Sequence, residues 1–407
     1  MVVPEFRDGQ MRRVTVLGST GSVGCSTIDL LKRNRERFQV EALAAGTNWK
    51  GLAEQARELS PAFVALADKA GESALRDALS GLDIEIAVGE AAIVEAARRD
   101  AEITVAAIVG AAGLRSTFEA LSRGAIVALA NKEALVCSGA LFMEKAKRTG
   151  ATILPVDSEH NAIFQVFDEE RRSSVSKIVL TASGGPFRCL SFDEMSRQVP
   201  EAALAHPNWE MGRKISIDSA TMMNKGLELI EAHHFFGLGN WQIEVLVHPQ
   251  SVIHSMVEYV DGSVLAQLGT PDMRIPIAYA LAWPERIETP VERLNLSEIA
   301  QLTFETPDEE RFPALRLARQ ALASGDRLAT ILNAANECAV EAFLDHRIRF
   351  TDIAEVSERM MQQPGIVGGY GAIDELFELD VQTREVAKMV IEQFETRSTI
   401  AVTALGD

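Results

Sequence analysis

The apolar stretch Val14-Thr15-Val16-Leu17 runs directly into Gly18-Ser19-Thr20-Gly21-Ser22-Val23-Gly24, and a helical stretch follows over Cys25–Leu31. A strand that turns on small residues into a helix leaves few folds open. Such a turn presents backbone N–H groups at a helix N-terminus, where the dipole favours a pyrophosphate. Gly18 permits the tight turn, Gly21 lets a phosphate approach the backbone, and Gly24 lets helix and strand pack closely. Hydroxyls of Ser19, Thr20 and Ser22 add donors. The spacing is G-x-x-G-x-x-G rather than G-x-G-x-x-G, and a ligand-free connection could use the same glycines. The strand before and the helix after favour the nucleotide.

The rest of the first third repeats this grammar. Strands are expected at Arg13–Leu17, Gln39–Ala45, Phe63–Ala67, Ile84–Val88, Ile103–Val109, Ile126–Ala130 and Thr152–Val156. Between them lie Ala-, Glu-, Arg- and Leu-rich segments at helical spacing, such as Asn48–Leu59 and Ala91–Arg99. The pattern predicts a Rossmann-like, doubly wound parallel sheet with helices on both faces. Ligands of such sheets bind at the carboxyl ends of the strands.

After Asp157 the pattern changes. Lys177–Thr181, Lys214–Ile217, Glu244–Val247, Ser255–Val260 and Ser263–Leu268 read as strands, the last two joined by the hairpin signal Asp261-Gly262. A central α+β catalytic domain with a largely antiparallel sheet is expected. Trp283-Pro284 opens a stretch of little periodicity, and from Pro313 to Thr396 the chain reads as helical. The expected division is residues 1–157 for the nucleotide-binding domain, 158–282 for the catalytic domain, 283–312 for a linker and 313–407 for an α-helical C-terminal domain.

A formal charge of −18 over 407 residues argues against a nucleic acid or an anionic membrane as partner, since both need concentrated basic surface. A small phosphorylated ligand needs only a few local donors. Cys25, Cys137, Cys189 and Cys338 form no C-x-x-C pair, which fits a reducing cytoplasm. No apolar run approaches the ~20 residues of a membrane span, and the short, mixed start of the chain lacks a secretion signal's apolar centre.

The second strand selects the dinucleotide. NAD-binding strands usually end in a carboxylate that accepts from the ribose 2′-hydroxyl. Here the tip is Gly46-Thr47-Asn48-Trp49-Lys50, with no acid, and Thr47, Asn48 and Lys50 offer donors to a 2′-phosphate. NADPH is therefore the expected cofactor.

Other candidates also follow strands. Asn131-Lys132-Glu133 places a lysine at the ligand-facing edge, either a solvated cap or a cation for substrate. Asp157-Ser158-Glu159 can converge on Mg²⁺ or Mn²⁺, or Asp157 can simply cap the helix Asn161–Phe167. Thr181-Ala182-Ser183-Gly184-Gly185 and Ser219-Ala220-Thr221-Met222-Met223-Asn224-Lys225-Gly226 are small-residue turns suited to a phosphate monoester. Glu228 reads as a first-turn acid of the helix that Lys225-Gly226 opens, and His233 and His234 as satisfied histidines. The loop from Ala205 to Gly212 carries an exposed-looking Trp209, as a mobile lid would, although a Trp can equally anchor a core.

Taken together, GSTGSVG, ALANKEALV, PVDSEHNAIFQ, LTASGGPF, HPNWEMGRKISIDSATMMNKGLELIEA, HPQSVIHSMV and LNAANE closely resemble the 1-deoxy-D-xylulose 5-phosphate reductoisomerase family across essentially the whole chain. The resemblance implies NADPH-dependent rearrangement and reduction of 1-deoxy-D-xylulose 5-phosphate to 2-C-methyl-D-erythritol 4-phosphate, an early step of non-mevalonate isoprenoid synthesis. It implies that Asp157, Glu159 and Glu228 hold the divalent cation, while Lys132 and Ser158 contact the sugar. Ser183, His206, Ser219, Asn224 and Lys225 would bind substrate largely through its phosphate. Thr20, Gly21, Ser22, Val23, Gly46, Asn48, Asn131, Glu133 and Gly212 would line the cofactor, with Thr47 at a variable position. Trp209 and Met211 would sit on the flap, and a homodimer is expected.

Two other functions compete. A semialdehyde dehydrogenase shares the glycine turn but needs a thiolate nucleophile with a nearby base, and neither Cys137 nor Cys189 carries such a signature. A non-catalytic NADP(H)-sensing regulator leaves the acidic trio and the Ser/Asn/Lys cluster without a purpose.

Overall fold

The computed structural model describes residues 11–205, 209, 211–362 and 368–404, the last nine of these as backbone only. The first part of the chain runs β1 (Arg12–Leu17), α1 (Ser22–Arg33), β2 (Phe38–Ala45), α2 (Trp49–Leu59), β3 (Phe63–Leu66), α3 (Glu72–Ala78) and β4 (Glu85–Val88). It continues through α4 (Glu90–Arg98), β5 (Ile103–Ala106), α5 (Leu114–Ala120), β6 (Ile126–Leu129), α6 (Glu133–Thr149), β7 (Thr152–Pro155) and α7 (Ser158–Val166). Then come β8 (Val175–Ala182), α8 (Phe192–Ser196), α9 (Pro200–Leu204), α10 (Arg213–Ala220), α11 (Met223–Phe236), β9 (Ile243–Val247), β10 (Ile253–Tyr259) and β11 (Val264–Leu268). The remainder is helical: α12 (Arg274–Ala282), α13 (Leu296–Ile299), α14 (Ala314–Ser324), α15 (Asp326–Leu344), α16 (Asp352–Met361) and α17 (Ile373–Ala404).

The chain forms two compact units. The first comprises Met1–Ala134, Phe142–Gln165 and Asp272–Arg293. Its seven strands lie in the order β4-β3-β2-β1-β5-β6-β7, every pairing parallel. Strands β3, β5 and β6 are buried at every position, as a sheet covered on both faces requires. Val14, Val16, Leu43, Val64, Leu66, Ile103 and Val105 are completely or almost completely buried in one core, each contributing about 1.5–3 kcal/mol against exposure. This is the doubly wound fold. Strand β5 ends at Ala106, short of the expected Val109, which is 69% exposed.

Helix α12 joins this core rather than the expected central domain of residues 158–282. Its sequence RIPIAYALA is apolar on nearly every face, and Ile277, Ala278, Ala280 and Leu281 pack into the sheet's cluster.

The second unit comprises Leu135–Leu141, Val166–Pro271 and Leu294–Asp407. Its sheet has the order β11-β10-β8-β9, with β10 antiparallel to both neighbours and β8 parallel to β9. The hairpin turns at Gly262, whose φ of +84° suits a residue without a Cβ. Helices α14 to α17 belong to the same compact unit as this sheet. Helix α14 approaches α11 so closely that a Cβ on Gly226 would lie 3.0 Å from Ala314 O.

Lys214–Ile217 is helical, not a strand. It lies in α10, where Ser216 Oγ bonds Gly212 O and Lys214 pairs with Asp218 one turn on at 3.0 Å. The expected linker contains α13, and Glu305 forms a bridge with Val247 of β9. Among the described residues no helix is long and apolar enough to cross a membrane.

Candidate active site

The glycine turn is built as its residues dictate. Gly18 has φ +86°, and a Cβ there would lie 2.6 Å from Ala107 O. A Cβ on Gly24 would lie 2.1 Å from Gly18 O, so this glycine packs the helix against the turn itself rather than against the strand. Gly21 is different: it is exposed and extended, and a Cβ would meet nothing nearer than 3.5 Å. Helix α1 starts without a side-chain cap and without an acid in its first turn, leaving its N–H groups and dipole available to an anion. Ser22 and Val23 open this helix.

A cleft of about 290 Å³ adjoins the turn, lined in part by Thr20, Cys25, Lys32, Asn48 and Gln55. Thr20 of the turn and Asn48 of the β2 tip thus face one cleft. Gln55 Nε2 donates to Ser19 O at 2.9 Å and fixes the turn's shape. Gly46, Thr47 and Asn48 are exposed at the tip. Asn48 Oδ1 accepts from Gly51 N at 3.1 Å and so caps α2, while Lys50 lies over the Trp49 ring.

At the carboxyl end of β6, Asn131 is 1% exposed and donates to Ile108 O at 2.6 Å. Lys132 Nζ lies 2.7 Å from Asp157 Oδ2 across the β6 and β7 tips, with side-chain exposures of 8% and 11%. Lys132 is therefore a buried partner, not a solvated cap. Glu133, the first residue of α6, is buried. Asp157 also caps α7, its Oδ1 accepting from Glu159 N at 3.3 Å, and Ser158 Oγ donates to Glu159 Oε2 at 2.5 Å. His160 is completely buried with Nδ1 3.6 Å from Asp157 Oδ1. It was not among the expected residues, although its place three after Asp157 on one helix face signals the contact.

In the second unit the two small-residue turns meet. Gly184 and Gly185 have φ of +83° and +67°, Ser183 Oγ accepts from Gly185 N at 3.2 Å, and a Cβ on Gly185 would lie 2.6 Å from Ser219 O. Met222, in the left-handed region at φ +63°, turns the chain into α11. Asn224 and Lys225 both donate to the Glu228 carboxylate. Lys225 and Glu228 are 3% and 1% exposed. Glu228 stands in the second turn of α11 rather than the first, so these two donors, not the helix dipole, hold its charge. Glu231, one turn further on, is equally buried.

Trp209 is half-buried rather than exposed, its ring centroid 6.0 Å from that of His254 on β10. Burial pushes the His254 imidazole down to about 4, with the Lys225 charge adding to the effect and backbone hydrogen bonds at Gly269 and Thr270 opposing it. His254 was not singled out from the sequence, where nothing local marks it. Gly212 caps α10, Met211 precedes it, and His206 lies outside the described residues. His233 Nδ1 bonds Leu238 O at 2.6 Å, and His234 lies against Asp326, as satisfied histidines would.

The family profile described as 1-deoxy-D-xylulose 5-phosphate reductoisomerase matches residues 14–139. Two profiles for C-terminal domains of the same enzyme match residues 153–236 and 268–386. A 1-deoxy-D-xylulose 5-phosphate reductoisomerase of Rhodospirillum centenum is 62% identical over 86% of this chain and 87% of its own length. That of Zymomonas mobilis is 52% identical over 94% of this chain and 98% of its own. The solved Zymomonas mobilis structure, in complex with NADPH, is 51% identical with a TM-score of 0.89 over 94% of this chain and 100% of that one. A structure of DOX-P reductoisomerase in complex with NADPH, fosmidomycin and magnesium is 43% identical with a TM-score of 0.91 over 94% and 98%. The chain belongs to the 1-deoxy-D-xylulose 5-phosphate reductoisomerase family.

Proposed function

We propose that the chain isomerises and reduces 1-deoxy-D-xylulose 5-phosphate to 2-C-methyl-D-erythritol 4-phosphate, with NADPH as reductant and Mg²⁺ or Mn²⁺ as metal, in isoprenoid synthesis. Family membership at 62% identity is the observation that carries this reading. Relatives of this chain have been solved with NADPH and with magnesium.

Asp157, Glu159 and Glu228 are the proposed metal ligands. The set fits the ion: every donor is a hard carboxylate oxygen. When bound, the cation polarises the sugar's carbonyl and adjacent hydroxyl, and NADPH supplies hydride. Three carboxylates against a dication leave about −1, and Lys132 beside Asp157 offsets that charge while contacting the sugar.

Ser183, His206, Ser219, Asn224 and Lys225 are the proposed phosphate donors, with Ser158 on the sugar. The phosphate is remote from the reacting carbons, so holding it orients the substrate before any bond changes. Trp209 and Met211 belong to the loop proposed to exclude water. Thr20, Gly21, Ser22, Val23, Gly46, Thr47, Asn48, Asn131, Glu133 and Gly212 are the proposed cofactor contacts, the pyrophosphate lying at the α1 N-terminus.

We also propose a homodimer in the cytoplasm. Strand β11 is a sheet edge with Val264 and Leu265 about half exposed, the kind of edge that pairs with another chain. No disulfide joins the four cysteines. The functional test is NADPH oxidation followed by absorbance: turnover requires both the sugar phosphate and the cation, and stops on chelation. Oxidation without added sugar phosphate would contradict it.

A further inference from the structure

Helix α2 buries Leu52, Ala53, Gln55 and Ala56, and Gln55 is the polar one among them. The other three belong to the apolar core of the sheet. That spacing calls for an aliphatic side chain, because a buried amide needs partners for both of its ends. Gln55 has one. Its Nε2 donates to Ser19 O at 2.9 Å, while its buried Oε1 has no partner among the described residues. An unpaired buried acceptor costs stability, so core packing does not account for an amide at this position. The bond to Ser19 O does.

Ser19 O belongs to the peptide that joins Ser19 to Thr20 in the glycine turn. A trans peptide is planar, and its C=O and N–H point in opposite directions. Holding Ser19 O against α2 therefore turns Thr20 N–H away from α2. Ser19 is completely buried, so water does not compete for its carbonyl. The backbone ties down the neighbours: Gly18 N and Ser19 N each donate to Ala44 O at 2.9 Å, and Gly21 N donates to Gly18 O at 3.1 Å. Thr20 N makes no hydrogen bond among the described residues. It is a donor of the turn left for a ligand, and a side chain outside the turn sets its direction.

We propose that Gln55 is a positioning residue for the cofactor: through Ser19 O it aims Thr20 N–H at the pyrophosphate. The proposal rests on the reading of the glycine turn as the pyrophosphate site. Gln55, Ser19, Thr20 and Ala44 all belong to the first unit. The same helix begins at the β2 tip, where Asn48 Oδ1 accepts from Gly51 N at 3.1 Å. Loss of the Gln55 amide leaves that cap in place, and with it the end of the site read as holding the 2′-phosphate.

The test compares Gln55→Met, Gln55→Glu and Gly21→Ala with the wild type in the full chain. It titrates NADPH and adenosine 2′-monophosphate, which carries the 2′-phosphate and lacks the pyrophosphate, and it records Tm. Gln55→Met keeps the length of the side chain and removes the donor. It is expected to weaken NADPH about tenfold and to leave adenosine 2′-monophosphate within about twofold. In Gln55→Glu an ionised carboxylate repels Ser19 O, whereas the protonated acid donates to it as the amide does. Burial and the acids Asp29, Glu54 and Glu58 of the same cleft favour the protonated form, with Lys32 opposing. Relative to wild type at the same pH, Gln55→Glu is therefore expected to bind NADPH about tenfold more weakly at about pH 8. At about pH 6 it is expected to recover to within about threefold. Equal losses of NADPH and adenosine 2′-monophosphate in Gln55→Met would overturn the proposal, as would unchanged NADPH affinity in that variant. If Gln55→Met does not fold, the acid recovery of Gln55→Glu decides, and its absence would overturn the proposal. Wild-type NADPH affinity in Gly21→Ala would instead overturn the reading of the turn, and the proposal with it.

Discussion

Lys132 Nζ and Asp157 Oδ2 stand 2.7 Å apart, each side chain about nine-tenths buried at the carboxyl tips of neighbouring strands β6 and β7. Removing one member of a buried pair leaves the other charge without compensation, which typically costs about 3–5 kcal/mol. Lys132→Met is therefore expected to lower stability by that order and to cut kcat at least a hundredfold. Urea unfolding and initial rates check the two effects separately. Wild-type stability would mean that the pair contributes nothing to the fold.

The glycine turn separates structure from binding. Gly24→Ala would drive a methyl group into Gly18 O, so it is expected to destabilise the protein by about 1–3 kcal/mol. Gly21→Ala meets no clash. It is expected to leave Tm nearly unchanged while weakening NADPH about tenfold, because the new methyl occupies the path of the pyrophosphate. Fluorescence titration of NADPH alongside thermal melts reads both. A Gly21→Ala protein with unaltered NADPH affinity would remove the pyrophosphate from this turn.

Much of the first unit is legible in the sequence because its strands are short apolar runs punctuated by polar helices. All seven lie where the alternation places them, ending within three residues of expectation. Lys214–Ile217 misled because four residues alternating polar and apolar cannot separate a period of two from one of 3.6. Helix α12 departs from the expected central domain for a related reason: being apolar all round, it carries no sign of which core it will join. The residues chosen as candidates fall into compact groups, Lys132 with Asp157 and Asn224 with Lys225 and Glu228. Contacts such as Ala140 with Asp326, separated by 186 positions, leave no local trace.

Lys225 tests the phosphate pocket. A charge-assisted hydrogen bond is worth about 1.5–3 kcal/mol, so Lys225→Ala is expected to raise KM for the sugar phosphate about ten- to a hundredfold. The buried Glu228 would also lose a partner, so kcat is expected to fall too. Steady-state kinetics against varied sugar phosphate decide this. An unchanged KM would move the phosphate elsewhere.

Acid should weaken the fold through its buried histidines. His254 and His234 are both held down to about 4 by burial, against an ordinary value of 6.5. The unfolded chain therefore binds more protons than the folded one between those values. Each histidine's contribution is fully present above pH ~6.5 and is lost as pH falls toward ~4, about 3 kcal/mol in all. Asp326, raised to about 6, works in the opposite sense over an overlapping range, but it is one group against two. Stability by urea unfolding is expected to drop between pH 7 and 5, and His254→Gln to flatten part of that slope. A flat wild-type profile would contradict the burial of these rings.

The proposed cation ligands are the carboxylates of Asp157, Glu159 and Glu228. Calorimetric titration of Mn²⁺ into the full-length protein, with and without Glu228→Gln, tests this assignment most directly. The expected result is one Mn²⁺ per chain, with affinity lowered at least tenfold in the variant and NADPH affinity unchanged. Equal Mn²⁺ affinity in both proteins would show that Glu228 is no ligand and that the metal site lies elsewhere.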